Sequence, residues 1–188
     1  AADPTFARTR GFVEYDDRRP LNARRGGLYR LDVARYTDRD GGRYTFTRAT
    51  LDLRQYVSFL AERRVIATRL WVATTEPADG ARVPFYLQPS LGGNDTLRGF
   101  RAVRFRGPHA ILLQAEYRWE IWSALEAAIF YDAGKVALRR ADLDFRDLEH
   151  DYGFGFRFNT DDGIVMRVDA AFGSRDGRHL HVVFGGIF

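Results

Sequence analysis

The C-terminal part of the chain alternates between two kinds of side chain with a period of two residues. Between residues 152 and 158, every even position is aromatic and every odd position is glycine or arginine. The same period runs through residues 111–119, 125–133, 164–172 and 180–188. Successive side chains of a β-strand point to opposite faces of the sheet. The period therefore predicts β-strands, and no stretch of similar length shows the ~3.6-residue repeat of a helix.

Four further segments alternate more weakly, at residues 5–16, 27–37, 43–59 and 65–75. Together the segments predict about nine strands of roughly 9–14 residues. Strands of globular sheets average ~5–6 residues, whereas strands that cross a bilayer at a tilt need ~9–11. The predicted lengths are therefore typical of a membrane barrel rather than of a globular sheet.

The links between these segments alternate in length. Short links fall at residues 60–62, 121–123 and 161–163, and longer polar links fall at 76–109 and 135–150. Short turns on one side and long loops on the other are typical of an up-and-down barrel. The sequence thus predicts an all-β protein whose residues 1–188 form one antiparallel transmembrane β-barrel domain. The long link at about 76–109 is expected to fold inward.

A soluble β-sandwich or barrel with a packed interior is the competing interpretation, and alternation alone does not decide between the two. Hydrophobic residues make up 45% of the chain, yet no apolar run approaches the ~18 residues of a membrane-spanning helix. The polar faces combine arginine with carboxylates and amides, as a wet lumen would. The apolar faces carry aromatic residues near strand ends, as the girdles of membrane barrels do. These features favour a membrane barrel with its charges inside.

One loop segment resembles a known family. Its residues Leu97, Arg98, Gly99 and Phe100 are similar to the long-loop motif of BamA-type and TamA-type barrels of the bacterial surface-antigen superfamily. That motif is a hydrophobic residue followed by Arg-Gly-Phe or Arg-Gly-Tyr. Segments similar to the family's later strands follow in order at 116–118, 130–134, 154–160 and the terminal Phe188. The resemblance covers residues 88–188 and, more loosely, residues 12–75.

The resemblance implies that Arg98 braces the barrel by pairing with carboxylates on the inner face of the strands. The carboxylates that the predicted register turns inward are Glu116, Asp132 and Glu126. A buried charge needs a partner, and a guanidinium bridges carboxylates with a two-bond geometry that lysine cannot reproduce. Gly99 is expected to let the backbone turn sharply beside the wall, and Phe100 is expected to wedge the loop tip.

The predicted strand number conflicts with a complete barrel of this family. With the last strand ending in the periplasm, as in the family, the short turns are periplasmic and the first of nine strands begins outside the cell. Three explanations stay open: the N-terminal segment is misassigned, the chain is a piece of a larger barrel, or another chain completes the sheet. We therefore expect about 8–10 strands in this chain, in a barrel that closes alone or is completed by a partner.

The last strand carries a proposed signal and seam. Phe184 and Phe188 share its apolar face, and Phe188 ends the chain in register, which is typical of outer-membrane strands. Gly185 and Gly186 weaken local pairing, so this edge is expected to exchange partners. A weak edge can template incoming strands by β-augmentation.

The resemblance implies a non-enzymatic role in inserting or translocating outer-membrane proteins or lipids at the bacterial outer membrane. The alternative is a passive pore or structural barrel without assembly activity. The sequence has no nucleophile elbow, phosphate-binding loop or cysteine, which argues against an outer-membrane enzyme. We expect no cofactor and no metal, with His179 and His181 as inward or rim histidines.

The expected partners are outer-membrane lipid, nascent outer-membrane proteins, and a second copy or upstream barrel segment that completes the sheet. Nucleic acid is not expected, because the net charge of +4 is spread along the chain rather than gathered in a stripe. The arginine pairs at 18–19 and 24–25 are expected to anchor at a phosphate-rich membrane surface.

Overall fold

The computed structural model describes residues 4–18, 23–160 and 163–184, without the side chains of residues 160 and 163–165. Eleven strands account for most of the described chain, and two single-turn 3-10 helices lie at Phe85–Leu87 and Arg140–Asp142. Among the described residues, no helix is long and apolar enough to cross a membrane. The predicted all-β class is confirmed.

The nine predicted strands follow one another in the predicted order, and two further short strands lie within the long link predicted at 76–109. They are β1 (Phe6–Asp16), β2 (Gly26–Asp38), β3 (Phe46–Phe59), β4 (Arg64–Pro77), β5 (Ser90–Leu91), β6 (Phe105–Arg106), β7 (His109–Trp122), β8 (Leu125–Ala137), β9 (Glu149–Thr160), β10 (Gly163–Gly173) and β11 (Gly177–Phe184). Nine of them form one antiparallel sheet in the order β1-β2-β3-β4-β7-β8-β9-β10-β11, and β5 pairs with β6 in a small ribbon. The antiparallel up-and-down arrangement is therefore confirmed.

The described sheet is open. β1 pairs with β2 and β11 pairs with β10, and the described residues hold no pairing between β1 and β11. Each of these two strands therefore presents one row of backbone groups that the sheet does not use. The open sheet agrees with the expectation of a partial or partner-completed barrel.

The period-two pattern sorts side chains onto two faces of the sheet. In β9, Asp151 and Arg157 are buried on the inner face, whereas Phe154 and Phe156 are exposed on the outer face. The same division continues across the neighbouring strands, where outward Ile129 is exposed. An exposed apolar outer face and a charged inner face are what a lipid-facing barrel wall requires.

The links gather at two ends of the sheet. One end carries residues 39–45, 78–108, 138–148 and 174–176, and the other carries the described residues 17–18 and 23–25 together with residues 60–63 and 123–124. We call these the long-loop end and the short-turn end. The link at 78–108 does not stay at its end of the sheet, because Leu97 and Phe100 are fully buried in a cluster with Leu112 of β7.

Candidate functional site

The tip of the long loop is fixed to the inner face of the sheet by Arg98. Its Nε and Nη2 donate to the two carboxylate oxygens of Asp132 at 2.7 and 2.8 Å. Its Nη1 donates to Glu116 at 2.8 Å. The Arg98 side chain is 1% exposed, and both carboxylates are fully buried. The structure therefore brings together the loop arginine and two of its three expected partners, from β7 and β8.

Arg98 belongs to a larger group of buried ion pairs. Arg157 of β9 donates to Glu116 at 2.7 Å and to Asp169 of β10 at 2.5 Å, and Arg118 donates to Glu116 at 2.8 Å. We call this group the charge cluster; its members are Arg98, Glu116, Arg118, Asp132, Arg157, Arg167 and Asp169. Because each charge has an opposite charge beside it, the cluster offsets the cost of removing seven ionised groups from water.

The loop arginine also lies over an aromatic ring. The guanidinium carbon of Arg98 is 3.5 Å from the centroid of Phe130, which adds a cation–π contact to the ion pairs. Phe130 is paired in register with Gly153 of β9. A Cβ at Gly153 would lie 2.3 Å from that ring. The alternation of glycine with aromatic residues in β9 thus leaves room on the inner face for Phe130.

Gly99 is required by a close backbone approach. A Cβ at this position would lie 2.5 Å from Cβ of Asp151 and 2.6 Å from the backbone nitrogen of Gly173. Real Cβ atoms do not approach other atoms this closely, so a side chain here would push the loop away from β9 and β10. The expected role of Gly99 was a sharp turn, and the structure gives it a packing role instead.

Wall side chains also hold the backbone of the loop tip, which the sequence interpretation missed. Four strands contribute one donor each, and each donor binds a different carbonyl oxygen. The pairs are Arg167 Nη2 with Asn94 at 2.6 Å, Arg69 Nη1 with Asp95 at 3.2 Å, Gln114 Nε2 with Thr96 at 2.8 Å and His181 Nε2 with Arg98 at 2.7 Å. These donors tie the backbone of residues 94–98 to four strands of the wall.

The apolar side chains of the loop tip pack against the inner face of β7. Leu91, Leu97 and Phe100 are fully buried against Ala110 and Leu112 of β7. The Phe100 ring meets Phe105 edge to face, with centroids 5.1 Å apart. Phe100 thus occupies the wedge position expected for it.

One buried carboxylate of the inner face, that of Asp151, forms no ion pair with an arginine among the described residues. Asp151 lies opposite Asp132 in the β8–β9 register. Both of its carboxylate oxygens are buried without a hydrogen-bond partner among the described residues. Two neighbouring buried carboxylates are unfavourable unless cations compensate both, and Arg98 is bonded only to Asp132 of this pair.

Burial alone would lower the pKa of the Arg98 guanidinium. The carboxylates of Asp132, Glu116 and Asp169 outweigh that effect and raise this pKa above its ordinary value. The loop arginine is therefore a fixed positive charge at any pH that the protein meets. Its contacts cannot be released by deprotonating Arg98 itself.

Glu126 is not a partner of Arg98, which corrects the expectation from the register. Its side chain is buried on the inner face and forms an ion pair with Arg24. Glu126 and Asp132 are six residues apart on β8, which is about 20 Å at ~3.3 Å per residue. One guanidinium cannot span that distance, so a shared face did not mean a shared partner.

Arg24 cross-links several elements at the short-turn end of the sheet. It lies in the link between β1 and β2, donates to the backbone oxygen of Glu62 through Nε at 2.7 Å and reaches Glu120 at 3.4 Å in addition to Glu126. Arg24 therefore ties the N-terminal strands to β7 and β8. The expectation that Arg24 anchors at a membrane surface is wrong, because its charge is used inside the protein.

The proposed C-terminal signal is described only in part. Phe184, the last described residue, is 77% exposed on the outer face. Gly185, Gly186 and Phe188 lie outside the described residues. The expected seam thus stays a prediction, and the structure adds that the outer edge of β11 pairs with no strand of the described sheet.

Comparison with known proteins places this geometry in a family. Residues 10–179 match the Omp85 superfamily domain. Because the match spans far more than half of the chain, the protein belongs to the Omp85 superfamily. The family membership expected from the loop motif is confirmed.

Solved structures define the fold further. A crystal structure of BamA from Haemophilus ducreyi lacking POTRA domains 1–3 superposes on this chain with a TM-score of 0.78 at 16% sequence identity. The match covers 95% of this chain and 42% of that one, so this chain spans less than half of the BamA structure. Among curated protein sequences none matches. Family and fold together identify an outer-membrane barrel of the BamA and TamA type.

Proposed function

We propose that the chain forms part of an outer-membrane barrel that inserts or translocates outer-membrane proteins or lipids, without covalent chemistry. Its partners on this proposal are outer-membrane lipid at the outer face and nascent outer-membrane proteins at a sheet edge. A second copy or an upstream segment of the same protein would complete the sheet. The contrast between a braced wall and open sheet edges supports this function.

The braced wall supports the proposal first. Arg98 links the long loop to β7 and β8, and Arg157 extends the ion pairs to β9 and β10. Gln114 and His181 add hydrogen bonds to the same loop from β7 and β11. A sheet that pairs an added strand at its edge must keep its own strands paired. The contacts of the long loop on the inner face stabilise those strands.

The open edges are the observation that carries the proposal. The outer edges of β1 and β11 are unpaired in the described sheet. An exposed strand edge pairs readily with an added strand, because its free N–H and C=O groups satisfy those of the newcomer. Pairing at the edge is more favourable in lipid than in water, because no water in the bilayer core can hydrogen-bond the backbone groups.

We assign the inner-face carboxylates of Glu116, Asp132 and Asp169 to the brace and not to acid–base chemistry. Each of them is bonded to at least one arginine.

Reconstitution of the full chain in liposomes tests the proposal. The measurement is the rate at which a second, urea-unfolded outer-membrane barrel folds into these liposomes, followed by its heat-modifiable gel mobility. We expect faster folding than in liposomes without the chain. Release of a small trapped solute is measured in parallel. Solute release without faster folding would replace the proposed function with that of a passive pore.

A further inference from the structure

A second arginine group lies on the inner face, far from the long loop in sequence. It surrounds a cavity of about 250 Å³ at the part of β1–β3 nearest the 39–45 link. The residues that line it include four arginines, two carboxylates and one aromatic ring. They are Arg8, Arg10, Arg30, Arg48, Asp32, Asp52 and Tyr36.

The carboxylates of this cavity are already taken. Asp32 accepts from Arg10 at 2.5 Å and from Arg30 at 3.4 Å. Asp52 is bonded to two arginines that do not line the cavity, Arg54 at 2.7 Å and Arg69 at 2.9 Å. Both carboxylates that line the cavity are therefore paired with arginines other than Arg8 and Arg48.

Arg8 and Arg48 are left without a carboxylate among the described residues. Their guanidinium carbons lie 5.3 and 5.7 Å from the centroid of the same Tyr36 ring. The Nε of Arg48 is buried and has no hydrogen-bond partner there. Two like charges around one ring repel each other, and a buried donor without an acceptor is costly. In the charge cluster, by contrast, Arg98 and Arg157 each bond directly to carboxylates.

We propose that Arg8 and Arg48 bind a phosphate-type oxyanion in this cavity. Guanidinium groups match phosphate oxygens with paired hydrogen bonds, and an anion between them would remove their repulsion and supply the missing acceptor. The Thr50 hydroxyl, which also lines the cavity, is a further donor. The oxyanion can be free phosphate or the phosphomonoester of a lipid headgroup. This site is independent of the proposed insertion function.

Phosphorus-31 line broadening tests the site on the full chain, in a maltoside detergent that contains no phosphate. One arm titrates inorganic phosphate, and the other titrates a short-chain phosphatidic acid. We expect saturable broadening in the wild type and at least about tenfold weaker binding in Arg8→Gln and Arg48→Gln, since each loses a charged hydrogen bond. Binding in the lipid arm alone would assign the site to a headgroup, and binding in the phosphate arm would assign it to the free ion.

Arg35→Gln is the matched control. Arg35 lies next to Tyr36 on β2, but its side chain is on the outer face, where it donates to Thr47 at 2.9 Å. This variant loses the same charge at the same level of the sheet, and its binding should equal that of the wild type. No saturable binding in either arm would overturn the proposal, as would equal weakening in Arg35→Gln. Heat-modifiable mobility of each variant shows that it is folded, and we expect Arg48→Gln to be at least as stable as the wild type.

Discussion

Arg98 and Asp132 form a two-bond pair inside the sheet, with Nε and Nη2 of the arginine 2.7 and 2.8 Å from the two carboxylate oxygens. The pair joins a loop residue to a strand residue 34 positions later in the chain. Because Glu116 binds the third nitrogen of the same guanidinium, the loop and two strands behave as one unit. The stability of the wall should therefore depend on this loop.

Removing the loop arginine should weaken the barrel strongly. Arg98→Ala leaves Asp132 buried without its cation and removes one of the three arginines bonded to Glu116, which costs about 3–5 kcal/mol. Arg98→Lys should recover only part of this, because an ammonium cannot form the two-bond pair. Urea unfolding followed by gel mobility measures both. Arg101→Ala is the control, since that loop arginine is 74% exposed, and a similar loss there would contradict the brace.

The two facing aspartates should respond to substitution in opposite directions. Asp132→Asn breaks the two-bond pair with Arg98 and should destabilise the fold. Asp151→Asn removes a buried carboxylate that forms no ion pair with an arginine among the described residues and should stabilise the fold by about 1 kcal/mol or more. The denaturant midpoints of the two variants, compared with that of the wild type, measure both changes in stability. A loss of stability in Asp151→Asn would mean that this carboxylate has a favourable interaction that the static contacts do not contain.

Gly99 should not tolerate a methyl group. In Gly99→Ala the new Cβ would overlap β9 and β10, so we expect a cost of about 1–3 kcal/mol. Protease cleavage within residues 78–108 should become faster, because the loop is displaced from the wall. Gly11→Ala is the control, since nothing lies within 4 Å of a Cβ there. Equal protease resistance of both variants would show that the close approach is not needed.

The Arg98 brace on the inner face and the Arg24 ion pair at the short-turn end should act separately. A double-mutant cycle between Arg24→Ala and Glu126→Gln should give a coupling of about 1–3 kcal/mol, because these side chains form an ion pair. The cycle between Arg98→Ala and Glu126→Gln should be additive within about 0.5 kcal/mol. Strong coupling in the second cycle would restore Glu126 as a partner of the loop arginine.

Period-two alternation was sufficient to predict the faces of the strands, and together with the family resemblance it predicted the partners of Arg98 on β7 and β8. It could not exclude Glu126, because a shared face says nothing about distance along a strand. Alternation also could not predict the bond from His181 to the backbone of Arg98. Every residue has a backbone carbonyl, so the residue type does not identify the acceptor. The role of Arg24 was missed for a related reason: a link's path across the sheet end depends on tertiary packing.

The glycines of β9 were only partly explained by the sequence. Their alternation with aromatic residues predicted which face of the strand they lie on, but not which side chains fill the space beside them. Phe130 from the neighbouring strand lies over Gly153, and Asp169 with Arg157 occupies the space beside Gly155. The register between strands, which the sequence does not contain, decides which large side chain meets which glycine.

Cysteine cross-linking during assisted folding tests the account's central claim, that an open sheet edge receives the incoming protein. The chain has no cysteine, so single cysteines report one site each. Val182→Cys on β11 and Ile129→Cys on β8 are matched, because the native side chains are 52% and 51% exposed on the same outer face. Val13→Cys places a probe on the other edge strand, β1.

The measurement is the yield of disulfide between each variant and a client barrel that carries one cysteine in its last strand, trapped while the client folds in liposomes. The account predicts a high yield at an edge strand, Val182→Cys or Val13→Cys, and a background yield at Ile129→Cys, whose strand is paired on both sides. Equal yields at all three positions, or a yield at Ile129→Cys alone, would contradict templating at an open edge.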